Sequence, residues 1–87
     1  MSYELKTTPK FERLFKKLPE DTQRRILSKA YYQLSDNPYQ GKYLHGRLKG
    51  KLSFEVGDYR IVYEIRDNIV YLLGVGHRKK IYERLAR

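Results

Sequence analysis

LSFEVGDYRIVYEIRDNIVYLLGV, residues Leu52 to Val75, decides the fold of this chain. The segment holds three runs rich in β-branched and aromatic residues, at 52–56, 59–66 and 69–75. Only Gly57-Asp58 and Asp67-Asn68 interrupt them, and both pairs have the composition of two-residue hairpin turns. Turns that short fix the register. Val56 should face Tyr59, Glu55 should face Arg60, and Ser53 should face Val62. Across the second turn, Glu64 should face Tyr71, Val62 should face Leu73, and Arg60 should face Val75. One side of the meander then carries Leu52, Phe54, Val56, Ile61, Tyr63, Ile65, Val70 and Leu72, an apolar face to be covered. The other carries Ser53, Glu55, Arg60, Val62, Glu64, Tyr71, Leu73 and Val75, with Lys51 and His77 at its rim. The last run is apolar on both faces, so it belongs in the middle of the sheet or under cover on both sides.

Working outward, "YELKT" alternates as a short strand. Thr8 then supplies a hydroxyl N-cap, with Pro9 at the first helical position. Phe11, Leu14, Phe15 and Leu18 follow at helical spacing. Pro19 closes this helix and opens another, with Glu20 and Asp21 in its first turn. The second helix carries Ile26, Leu27, Ala30, Tyr31 and Leu34 and stops at "SDNP". Both outer faces are basic, through Arg13, Lys16 and Lys17, then Arg24, Arg25 and Lys29. The stretch 39–51 reads as a glycine-rich, basic loop, and 78–87 as a short basic helix or tail. The expectation is a single α+β domain over residues 1–87, ordered β-α-α-β-β-β-α. Its sheet should be antiparallel, with the helical hairpin on one face.

Composition narrows the function classes. The chain has 87 residues, no cysteine, and a net charge of +9 from 19 Lys/Arg against 10 Asp/Glu. Disulfides and thiolate metal sites are excluded, and His45 and His77 are too few and too far apart for a zinc site. No metal and no cofactor is expected. There is no signal-peptide core or membrane-length apolar run, so the expected location is the cytoplasm, with no membrane partner. The charge points to a polyanionic partner, either nucleic acid or an acidic protein segment.

The mixed face has two readings. Arg60 pairs with Glu55 as an ordinary surface ion pair, worth roughly 0.2–1 kcal/mol. Alternatively, fixed cations beside an apolar strip of Val62, Leu73 and Val75 form a site.

Three stretches carry a resemblance over nearly the whole chain: "LHGRLKG" (Leu44 to Gly50), "GDYRIVYEI" (Gly57 to Ile65) and "VGHRKKIY" (Val75 to Tyr82). They resemble the RelE/ParE superfamily of toxins from type II toxin–antitoxin operons, RelE most of all. The resemblance implies a ribonuclease that cuts mRNA in the ribosomal A site by metal-free attack of the RNA's own 2′-hydroxyl. It implies phosphate binding by Arg60 and Arg78, and stacking or orientation of the substrate by Tyr82. The possible acid–base residues are Lys51, Glu55 and His77, because Ser53 and Glu55 stand where the family usually has basic residues. Arg47, Lys49, Lys51, Lys79 and Lys80 would bind RNA or the ribosome. A RelB-like antitoxin would dock on Val62, Leu73 and Val75. The alternatives implied are a ParE-like, non-catalytic inhibitor of DNA gyrase, or a ribosome-binding toxin with little nuclease activity.

Overall fold

In the computed structural model, which describes residues 2–86, three helices surround a five-stranded mixed sheet. The elements are β1 (Glu4–Thr7), α1 (Pro9–Lys16), α2 (Glu20–Asp36), β2 (Lys42–Tyr43), β3 (Leu52–Val56), β4 (Tyr59–Arg66), β5 (Ile69–His77) and α3 (Ile81–Ala86). The spatial order is β1-β5-β4-β3-β2. No helix among the described residues is long and apolar enough to cross a membrane.

Thr8 caps α1 as its hydroxyl position requires. Its Oγ1 accepts the Phe11 N–H at 3.2 Å and donates to the Leu72 carbonyl at 2.9 Å, which fastens the helix to β5. Along α2 the buried positions are Thr22, Ile26, Ala30 and Leu34, a narrow stripe at strict four-residue spacing. Leu27 and Tyr31, expected on that stripe, are more than half exposed. The contact with the sheet is one ridge wide, and residues one position off it turn to solvent.

The sheet departs from expectation in two ways. β1 runs parallel to β5, with Glu4 beside Ile69 and Thr7 beside Leu72, so the sheet is mixed rather than antiparallel. Alternation in a four-residue edge strand specifies which face is buried but not which way the strand points. The helical hairpin sets that direction. The loop at 39–51 also contains structure of its own: β2 and two 3₁₀ turns, Pro38–Gln40 and Gly46–Leu48.

The β3–β4 register is as read, with Val56 opposite Tyr59, Glu55 opposite Arg60 and Ser53 opposite Val62. In the β4–β5 pair the outer half is also as read, with Glu64 opposite Tyr71. A bulge between Val62 and Tyr63 then absorbs Leu73. Val62 faces Gly74, Ile61 faces Val75, and Arg60 faces Gly76, in place of Leu73 and Val75. The bulge turns Val75 into the main core and leaves two glycines on the second face. A Cβ at Gly74 would lie 2.9 Å from the Leu85 methyls, and one at Gly76 would lie 3.3 Å from Ile81 Cδ1. Helix α3 therefore lies directly on bare backbone. The sequence held the signal, since glycines inside a strand mark bulges and close approach.

The core holds Phe11, Ile26, Leu34, Ile61, Tyr63, Val70 and Val75 between the sheet and the α1–α2 hairpin. Val62 and Ile81 extend it through the sheet to α3. The expected exposed strip of Val62, Leu73 and Val75 is thus not a surface. Val62 and Val75 are buried, and Leu73 is half-buried at the bulge.

Candidate active site

Arg60 enters the site from β4, on the face that α3 only partly covers. Its Nη1 donates to the carbonyls of Gly57 at 2.8 Å and Tyr59 at 2.9 Å, which fixes the guanidinium against the hairpin turn. Gly57 makes this possible by taking φ +60°, a conformation that costs glycine nothing. The Nη2 of Arg60 lies 3.4 Å from Glu55 Oε2, its cross-strand neighbour. The arginine side chain is 15 % exposed and the carboxylate 72 %, so the pair is a buried cation with a wet counter-ion.

Arg78 follows the end of β5. Its backbone N–H donates to the Asp58 carbonyl at 2.8 Å, and its Nε stands 3.8 Å from Asp58 Oδ1. The same turn that holds Arg60 therefore holds Arg78. Tyr82 comes from α3, where its hydroxyl and that of Ser53 lie 2.7 Å apart. Arg78 and Tyr82 do not share a helix, because α3 begins only at Ile81 and Arg78 belongs to the turn before it. They converge nonetheless. Arg60, Arg78, Tyr82, Ser53, Glu55 and Lys79 all line one open cleft of about 650 Å³.

The three acid–base candidates separate. Glu55 lines the cleft. Lys51 lines a smaller recess of about 260 Å³, together with Thr8, Lys10, Leu48, Val62, Leu73 and Leu85. His77 pairs with Tyr59 across the ladder, and their rings meet edge to face at 5.9 Å. That puts its imidazole on the side of the sheet away from Arg60, with Nδ1 accepting the Lys79 N–H at 3.2 Å. Neither Lys51 nor His77 is brought to the arginines. For His77, expected at the rim of the Arg60 face, the physical cause is the bulge, which shifts the alternation of β5 by one residue; for Lys51 it is a position at the opposite end of β3.

Of the expected RNA-binding cations, Lys79 reaches the cleft, Lys80 is exposed next to it, and Arg47 and Lys49 are exposed at the Gly46–Leu48 turn, outside the cleft lining. Sequence reasoning missed Lys29 and Gln33 of α2, Gln40 of the Pro38–Gln40 turn and Lys42 at the start of β2, which form a further wall of the cleft. The Tyr63 hydroxyl fixes that wall by donating to the Pro38 carbonyl at 2.6 Å. Burial pushes the Tyr63 phenol up to about 12, so it remains a donor at neutral pH. Gly41 passes so close that a Cβ would run into the Tyr63 hydroxyl and meet the Ser53 carbonyl at 2.9 Å.

Among the described residues no three His, Asp or Glu side chains converge as metal ligands would. The cleft can neutralise an anion through two guanidiniums, that of Arg60 held in place, offer an aromatic ring, and take up a proton on one carboxylate.

Comparison with known proteins fits this geometry. The chain is 36% identical to Toxin RelG of Mycobacterium tuberculosis, over 97% of this chain and 100% of that one. It superposes on the toxin–antitoxin complex RelBE2 of the same organism with a TM-score of 0.85 at 33% identity, covering 90% of this chain and 93% of that chain. A mutant of the E. coli toxin RelE in the free state shares the fold, with a TM-score of 0.72 at 20% identity over 98% of this chain and 99% of that one. Residues 5–82 match the family described as the ParE toxin of type II toxin–antitoxin system, parDE. The chain thus belongs to the RelE/ParE superfamily and is the toxin of a type II toxin–antitoxin pair.

Proposed function

We propose that this toxin is an endoribonuclease of the RelE kind, which cleaves mRNA on the ribosome in the A site. The observation that carries this reading is the convergence of Arg60, Arg78, Tyr82 and Glu55 on a single cleft. Glu55 accepts the proton of a substrate 2′-hydroxyl. The freed oxygen attacks the adjacent phosphorus, the P–O5′ bond breaks, and the 5′-oxygen leaves and takes a proton from solvent water. The products are a 2′,3′-cyclic phosphate and a 5′-hydroxyl. Arg60 and Arg78 neutralise the charge that builds on the non-bridging oxygens, a role suited to guanidiniums, and that of Arg60 is already held in place by two backbone carbonyls. Tyr82 stacks on a base splayed out of the single strand. Its own hydrogen bond to Ser53 keeps the ring at the cleft.

Glu55 has a second effect. In the free protein it occupies Arg60, so substrate phosphate must displace the carboxylate from the guanidinium. That exchange turns a counter-ion into a base at the moment of binding.

Primer extension on an mRNA after brief expression tests the reading. Codon-positioned cuts that vanish with Arg60→Ala or Arg78→Ala support it, and growth arrest unchanged by both substitutions would sink it. The ParE description of the matching family favours one other reading, a non-catalytic inhibitor of DNA gyrase. Linearised plasmid with intact mRNA would select that reading.

The proposed partner in the resting cell is a RelB-like antitoxin, and the proposed location is the cytoplasm. The complexes among the structural relatives support such a partner. The docking surface moves from the exposed strip expected in the sequence to the smaller recess, which keeps Val62 as floor and Leu73 as wall and loses Val75. Its rim carries Lys10 and Lys51, suited to an apolar side chain flanked by carboxylates. Leu73→Asp should release the antitoxin on a pull-down, while Leu27→Asp on exposed α2 should not.

A further inference from the structure

The cation set of the cleft is larger than the two arginines, and it draws on α2 and β2, elements that sequence spacing does not mark as part of a site. β2 pairs with β3 only through Lys42 opposite Ser53 and Tyr43 opposite Leu52. Beyond Ser53 the outer edge of β3 is therefore open at Glu55. Lys29 of α2 reaches that edge, with its Nζ 3.5 Å from the Glu55 carbonyl oxygen and 5.8 Å from the centre of the Phe54 ring. These two contacts distinguish it from an ordinary solvated lysine, because its ammonium is aimed along the strand edge. Lys42 stands on the other flank. As the cross-strand partner of Ser53, it shares the face on which the Ser53 hydroxyl meets Tyr82. Both lysines line the same cleft as Arg60 and Arg78.

We propose that Lys29 and Lys42 form a second phosphate subsite, which holds the backbone of single-stranded RNA along the β3 edge beside the phosphate bound by Arg60 and Arg78. This rests on the ribonuclease reading and extends it to how the substrate is held. The position of these lysines accounts for the feature that strand reading left unexplained. β3 carries Ser53 and Glu55 rather than cations on the Arg60 face, and the missing charge enters from α2 and β2 instead. The placement also suits Glu55 as a base, since a neighbouring phosphate subsite off the strand leaves the carboxylate facing the reacting group. Single-stranded RNA is favoured over an acidic peptide because the same cleft holds Tyr82, whose ring suits stacking on a base.

The test is fluorescence anisotropy with a short, labelled, single-stranded RNA whose riboses are 2′-O-methylated and so uncleavable. Lys29→Gln and Lys42→Gln are compared with Lys16→Gln, which removes the same charge from the outer face of α1. Each cleft variant should weaken binding about fivefold at moderate salt and lower the salt slope of log K by ~0.7, the amount for one single-strand phosphate contact. Lys16→Gln should fall well short of both. If the cleft variants match Lys16→Gln, the proposal is overturned. It is equally overturned if RNA affinity holds while binding of labelled polyglutamate falls, because the flanks would then be a peptide site. The catalytic reading fails separately, through cleavage that survives Arg60→Ala and Arg78→Ala while the lysine variants still lose RNA.

Discussion

The hydroxyls of Ser53 and Tyr82 lie 2.7 Å apart, which joins the middle of β3 to the first turn of α3. A six-residue helix is too short to be stable by itself, so its position depends on such ties and on the side chains beneath it. Ile81 on Gly76 and Leu85 on Gly74 supply the apolar part, and this hydrogen bond supplies the direction of the Tyr82 ring.

Removing either hydroxyl should therefore cost little stability and more function. Ser53→Ala and Tyr82→Phe should each lower the unfolding free energy by about 1 kcal/mol, and the double variant should lose no more than either single. Urea unfolding curves of the four proteins check this. Ser53→Ala should also slow cleavage although it leaves Tyr82 intact, because the ring loses its anchor.

Glu55→Gln separates the two roles given to the carboxylate. RNA affinity should rise, since nothing charged competes with phosphate for Arg60. The single-turnover cleavage rate should fall on the order of 10²- to 10⁴-fold, the usual contribution of a general base. A faster variant would make Glu55 a competitor only.

Gly74→Val should lift α3 from the sheet. Even the first added carbon lies 2.9 Å from both Leu85 methyls, and overpacking of this kind costs about 1–3 kcal/mol. Limited proteolysis should cut near Arg84 far faster than in the parent, with the β3–β4 hairpin still protected.

Tyr63 gives the fold an alkaline limit. Its phenol ionises near the ordinary tyrosine value of 10.0 when unfolded and at about 12 when folded, because burial disfavours the phenolate. The folded state thus holds the proton longer. Its stability contribution is complete below pH 10.0 and is lost as pH rises through about 12. The total is on the order of 3 kcal/mol. Tyr63→Phe should be less stable at neutral pH, through loss of the bond to Pro38, and should show a flatter decline above pH 10.0 in thermal denaturation.

The sequence by itself determined the meander and the β3–β4 register, because two-residue turns leave no freedom and strand alternation does the rest. It determined the N-cap at Thr8, the two helices, the burial of the strand that became β5, and the pairing of Arg60 with Glu55. All of these rest on interactions between residues near in the chain. The tertiary structure decided what depends on distant pieces meeting. The direction of β1 follows from how the helical hairpin returns, and no residue in that strand encodes it. The bulge at Leu73 turns Val75 inward and puts Gly74 and Gly76 beneath α3, which covers Val62 from that side. His77 and Lys51 left the candidate site for the same kind of reason: one is on the wrong side of the pleat and the other at the wrong end of the strand. Lys29 and Lys42 joined it only because the middle of α2 and the start of β2 meet at the same open sheet edge. Spacing along the chain fixes which side a residue faces, but a cleft is made by whatever else arrives there.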